Sequence, residues 1–117
     1  MNIKLKELFF KLLVDLDDFV GDLRKFYKLR FIPNHPLVDS INSYRDSING
    51  YLVEFKSFND DIPSSYSQLL NVSEFLVNNL FKDNCINEEL YKEHIDSFEE
   101  VLDLFNDDFD ISDLPNE

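Results

Sequence analysis

The chain has 117 residues, a mass of 13.9 kDa and a formal net charge of -13. That length provides for one domain with a single hydrophobic core. With 24 Asp and Glu against 11 Lys and Arg, direct binding to a nucleic-acid backbone is disfavoured, and 44% hydrophobic content is too high for intrinsic disorder.

The first helix is expected from about Ile3 to about Arg30. Leu5, Leu8, Phe9, Leu12, Leu16, Phe19, Leu23 and Phe26 recur at three- and four-residue steps, which keeps them on one helical face. Gly21 interrupts the pattern and marks either a kink or a close contact. The prolines at 33 and 36 stop this helix. A second begins near Pro36, a favourable first helical residue, and His35 precedes it. Its stripe is Leu37, Ile41, Tyr44, Ile48, Leu52, Phe55 and Phe58, and Asn59-Asp60-Asp61-Ile62-Pro63 ends it. Ser64 or Ser65 then caps a third helix with the stripe Tyr66, Leu69, Leu70, Ser73, Val77, Leu80 and Phe81. Asp83-Asn84-Cys85-Ile86 is a short turn. Asn87 caps the fourth helix, with Glu88 and Glu89 in the first turn, where the helix dipole favours negative charge. Its inner face is Tyr91, Ile95, Phe98, Leu102 and Phe105.

Nothing in the pattern reads as a strand. The expected fold is all-α: an antiparallel four-helix bundle over residues 1–105, followed by an acidic, partly irregular C-terminal tail over 106–117. With no Ala and only two Gly, the helices are expected to pack toward the wide end of the usual spacing.

The charge is unevenly placed. Residues 1–30 balance at +2, residues 31–59 at -1 and residues 60–117 at -14. Within the acidic half, Glu89, Glu93, Asp96, Glu100, Asp103 and Asp107 follow steps of four, three, four, three and four. At ~100° per residue they fall in one narrow row opposite the apolar face, and at ~1.5 Å per residue the row is about 27 Å long. Asp108, Asp110, Asp113 and Glu117 extend the acidity into the tail. Like charges so spaced repel one another in the free helix, and a field of this kind steers a basic partner toward it. The expected partner-binding residues are therefore Glu89, Glu93, Asp96, Glu100, Asp103, Asp107, Asp108 and Asp110. Phe10 and Val14 project from the side of the first helix opposite Leu5, Leu12 and Phe19, and Phe75 is similarly placed on the third. Either these helices are buried on two sides or the three residues form an apolar contact patch.

Other chemistries fail on their own patterns. Asn106, Asp108, Asp110 and Glu117 occupy positions one, three, five and twelve of a calcium loop. Ile111 stands where that loop needs Gly, and Pro115 interrupts it. No Glu-x-x-His pair exists for a carboxylate-bridged metal bundle, so no metal or cofactor is expected. His94 reads as a hydrogen-bonded boundary residue. Cys85 has acidic neighbours, which raise rather than lower a thiol pKa, and reads as a half-buried turn residue. No acid–base or nucleophile pair assembles, so the chain is not expected to be an enzyme. The one cysteine allows no intrachain disulfide and suits a reducing compartment, and no apolar run reaches the ~18 residues of a membrane span. A cytoplasmic protein is expected, and the amino-acid bias matches the AT-rich coding of a low-GC bacterium, its phage or a mobile element.

In size, helical pattern, the Glu89-to-Asp107 row and the acidic tail, the chain resembles the acidic immunity proteins that neutralise colicin-type and contact-dependent growth-inhibition toxins. The resemblance is one of class. It matches no motif residue by residue and so assigns no binding residues. It implies a partner that is a basic protein, such as a nuclease toxin with a cationic active site. A phage-encoded DNA mimic acting against restriction or CRISPR enzymes is the alternative, its acidic row replacing phosphates. A helical adaptor, homodimeric through the first helix, is the reading from a different class.

Overall fold

The computed structural model describes residues 3–29, 32 and 35–108. Four helices dominate: α1 (Ile3–Lys28), α2 (Pro36–Phe55), α3 (Ser64–Leu80) and α4 (Glu88–Asp108). The expected all-α class holds, with one local correction. Two two-residue strands, β1 (Phe81–Lys82) and β2 (Cys85–Ile86), form an antiparallel hairpin between α3 and α4, pairing Phe81 with Ile86 and Lys82 with Cys85. Its turn residues, Asp83 and Asn84, have φ of 54° and 62°. Two successive left-handed residues make the tight turn that matches strand twist, and Asp and Asn tolerate that conformation better than other side-chain-bearing residues. The hairpin is too short to show a period of two in the sequence. Cys85, expected to be half-buried, is exposed on β2.

The helix starts follow local chemistry. His35 Nδ1 accepts a hydrogen bond from the Leu37 amide at 3.1 Å, so His35 caps α2 ahead of Pro36. Asn87 Oδ1 accepts from the Leu90 amide at 3.1 Å and caps α4. At α3 the expectation of a serine cap fails. Pro63 holds the N-cap position without a side-chain bond, and Ser64 is already helical. At the other end of α2 the α-helix gives way after Phe55 to a 3₁₀ turn, Lys56–Asp61, in which Phe58 leaves helical geometry (φ -111°, ψ 19°). Phe58 therefore reaches the core edge from a kink, not from the α2 stripe.

α1 is the central element. Ten of its side chains are buried, from Leu5 to Phe26. Leu13 and Val20 widen the sequence stripe to an arc of about 140°. Phe10 and Val14 fall outside that arc, 37% and 41% exposed, so α1 is not buried on their side. Around α1 the aromatic rings interlock. Phe9 meets Phe55 of α2 at 4.4 Å and Tyr66 of α3 at 4.7 Å, while Tyr27 stacks on Tyr91 of α4 at 4.2 Å. Tyr66 in turn meets Phe105 of α4 at 5.1 Å. Polar pairs fix the remaining seams. Asn49 and Asn78 exchange hydrogen bonds of 2.9 and 3.0 Å between α2 and α3. Arg45 donates to the Phe81 carbonyl at 3.2 Å, tying the hairpin to α2.

The row on α4 is helical three residues beyond the expected boundary at 105, because the helix runs to Asp108. The rest of the expected tail, 109–117, lies outside the described residues, and so do the prolines expected to end α1 at 33 and to interrupt the tail at 115. No helix is long and apolar enough to cross a membrane among the described residues.

Two substitutions test this packing. A Cβ built on Gly21 meets nothing within 4 Å, so Gly21 does not mark a close contact, and α1 runs through it as one helix. Gly21→Ala is expected to raise stability by about 0.5–1 kcal/mol in urea unfolding, through helix propensity and unfolded-state entropy. Ser73 is 0% exposed and its hydroxyl has no hydrogen-bond partner. Ser73→Ala removes that unsatisfied group and is expected to stabilise by roughly 1 kcal/mol, where a loss of stability would show that the hydroxyl is bonded after all.

Candidate functional site

Glu89, Glu93, Asp96, Glu100, Asp103 and Asp107 are all exposed on α4. The helix places them together because their spacing is that of one helical face. Asp108 is the last residue of α4, and Asp110 lies outside the described residues. Lys92 is the single basic residue of α4, and its ammonium lies 3.3 Å from Glu88, off the row. The row is thus exposed as a unit, with one member engaged inside the molecule. Asp96 accepts a hydrogen bond from Arg24 of α1 at 2.9 Å. The same guanidinium pairs with Glu99. Hydrogen bonding to Asp96 first, and then to Glu99, holds Arg24 above its ordinary pKa.

The charge balance of the sequence concealed a second acidic group. α1 is basic at both ends and acidic in the middle. Asp15, Asp17, Asp18 and Asp22 lie between Lys11 and Arg24 with no cation among them. Summed over residues 1–30 this block vanished into a small positive balance. The structure divides it: Asp17 lies beside α4, while Asp15 and Asp18 lie by tyrosines of α2. Asp17 Oδ2 accepts a hydrogen bond from Asn106 of α4 at 3.0 Å. Lost hydration raises the Asp17 pKa, the Asn106 bond opposes the rise, and the charges of Asp103, Asp18 and Glu99 add to it. Asp22 is also raised, again by lost hydration, with Lys25 opposing. On the other flank of α1, Asp18 is the main cause of a raised Tyr44 pKa, ahead of burial and of Asp22 and Asp15. Tyr51 is raised by burial and by its hydrogen bond to Asp15. The carboxylates of mid-α1 thus act on both flanks, Asp17 with Asp103 and Glu99 of α4, and Asp18 and Asp15 on the tyrosines of α2. The signal for this in the sequence was the run of like charge from Asp15 to Asp22, read together with the arc that turns α1 toward α4.

The three apolar candidates are exposed but do not form one patch. Phe10 and Val14 are four residues apart on α1. Phe75, 52% exposed, belongs to a different surface between α3 and α4, where it lines a cavity with Val72, Leu76 and His94. No group of three His, Cys, Asp or Glu side chains converges as a metal centre requires, among the described residues. Comparison with protein-family models, with curated proteins and with solved structures finds no match in any of the three.

The raised Asp17 pKa fixes a pH dependence. A carboxyl group whose folded pKa exceeds its unfolded value opposes folding at neutral pH. That opposition fades as pH falls through the folded value, and it is gone below the unfolded value near 3.8. Asp17→Asn keeps the acceptor for Asn106 and removes the charge. It is expected to raise the melting temperature at pH 7, with the gain over wild type disappearing at about pH 3.

Proposed function

We propose that the four helices form an antiparallel bundle whose acidic surface binds and neutralises a basic protein in the cytoplasm, as an immunity protein does to a nuclease toxin. The bundle reading is supported by the order of the cross-helix contacts. Tyr27, Arg24 and Asp17 of α1 meet Tyr91, Asp96 and Asn106 of α4 in reverse chain order. Phe9 meets Phe55 while Asp15 meets Tyr51, which gives α1 and α2 the same reversed sense.

One observation carries the functional reading. The exposed row of α4 sets six carboxylates on one face, and Asn106 of α4 bonds to Asp17 of α1, which brings that further carboxylate beside Asp103 of the row. A surface that concentrates carboxylates against their own repulsion loses that repulsion when a cationic partner arrives, and gains attraction as well. Association is then fast at low ionic strength and falls as salt screens the field. The row supplies about one charge per 5 Å, sparser than the one per 3.4 Å of a DNA strand, and Asp96 is turned to Arg24. This spacing supports a partner met as a folded basic surface over one that reads the row as a duplex.

The partner is identified by cross-linking and affinity isolation from the native cells, and the interaction is then measured with purified components. The expected partner is a cationic nuclease whose activity falls when the complex forms. Glu93→Lys, Glu100→Lys, Asp103→Lys and Asp107→Lys together are expected to weaken binding by at least about a hundredfold while leaving the helical circular dichroism intact. Asp96 is left out of this set because its reversal also breaks the pair with Arg24. Unchanged affinity in the fourfold variant, or a partner with no cationic surface, overturns the reading.

A further inference from the structure

The acidic row has an apolar neighbour. Along the seam of α3 and α4 a cavity of about 360 Å³ is lined chiefly by Val72, Val101, Leu104 and Phe105. A second, of about 330 Å³, shares Val72 and continues to Phe75, Leu76 and His94. Val72, Phe75 and Leu104 are 45%, 52% and 63% exposed. Single exposed apolar residues are ordinary, but three along one groove form a contact surface. The lining spans Ser65 to Phe75 on α3, a length of about 15 Å, or nearly three helical turns.

The walls of the groove differ in charge. On the α4 side, Glu93 and Glu100 stand within about 40° of Leu104 around the helix. On the α3 side, Ser65, Gln68 and Asn71 are neutral, and α3 has no Lys or Arg. A second copy of this chain is a poor occupant, since it would bring another acidic row against this one.

We propose that this groove receives an amphipathic helix of the basic partner, its apolar side chains seated on Val72, Phe75 and Leu104 and its Lys or Arg edge against Glu93 and Glu100. The inference rests on the acidic-surface reading and adds the chemistry of the segment that is bound. A span of three turns accommodates anchors at i, i+3 or i+4, and i+7, the usual spacing for a helix laid in a groove.

The test uses the full chain and a labelled helical peptide of about 14 residues, with Leu at that spacing and Lys along one edge. One control peptide has Ala for Leu, and another has Glu for Lys. Fluorescence anisotropy is expected to show binding of the Leu/Lys peptide and at least about tenfold weaker binding of both controls. Phe75→Ser and Leu104→Ser are each expected to weaken binding about tenfold, with melting curves confirming that these exposed positions leave the fold intact. NMR shift changes are expected to centre on Val72, Phe75 and Leu104. Equal binding of the Ala/Lys peptide, full affinity in both serine variants, or shifts centred on Phe10 and Val14 overturn the groove, while a loss on charge reversal keeps the acidic-surface reading. Conversely, loss in the serine variants with full affinity in a Glu93→Gln, Glu100→Gln pair overturns the acidic-surface reading and the cationic edge with it.

Discussion

The acidic face of α4 packs beside Asp17 of α1, and what offsets the carboxylate repulsion at that seam is the guanidinium of Arg24. It reaches Asp96 and Glu99 together. Its own side chain is 34% exposed but that of Asp96 is 85%, so the pairing is open to water and screened by salt. One charge does not neutralise the seam. Asp17 still has a raised pKa, chiefly from lost hydration and to a lesser degree from the nearby carboxylates. The core supplies the rest. The aromatic contacts Phe9–Phe55, Tyr27–Tyr91 and Tyr66–Phe105 join every helix to a neighbour, and burial of such rings is worth several times a partly screened ion pair. The acidic surface is thus imposed by the apolar interior, and Arg24 moderates it at the point of closest approach.

This hierarchy explains what was legible in the sequence. The helices were, because α1 alone places Leu5, Leu12, Phe19 and Phe26 at helical intervals and no strand-length alternation competes. The α4 cap at Asn87 and the α4 row were legible for the same reason: each is a property of one helix. Features that need two elements were not. The pairing of Arg24 with Asp96 spans 72 residues, and no local pattern encodes it. Asp17 of α1 met the α4 row only through packing. The groove needed Phe75 and Leu104, on different helices, to be seen as one surface. The hairpin was missed for a different reason. Two residues per strand give no period, and its only signal is the pair of left-handed turn residues, Asp83 and Asn84.

The acidic row and the apolar groove would divide the work of binding. Exposed carboxylates act at a distance of about a Debye length, some 8–10 Å in physiological salt, so they shape encounter and orientation. They contribute less to holding the complex, because both partners must shed hydration to pair closely. Apolar side chains act only on contact, and their burial governs dissociation. A protein with the row alone would associate quickly with any cationic surface and release it quickly. One with the groove alone would lack a means of selecting charge.

The placement of the two features follows from helix geometry. On α4 the inner face is occupied by Tyr91, Ile95, Phe98 and Leu102, which leaves two flanks and an outer face. The α1 flank holds Glu99 and Asn106, both bonded across the seam. The α3 flank holds Val101 and Leu104, which with Phe105 and with Ser65, Gln68, Leu69 and Val72 of α3 line an open gap. Glu93 and Glu100 then border that gap because the outer row and the α3 flank are adjacent on a helix of 3.6 residues per turn. A substitution that reached into the gap from the exposed Ser65, such as Ser65→Leu, would add apolar contacts there without touching any carboxylate. If the groove serves binding, that variant gains stability and loses affinity, whereas filling an idle gap gains stability alone. The opposed response of the two quantities to one added apolar side chain separates a functional groove from a packing defect.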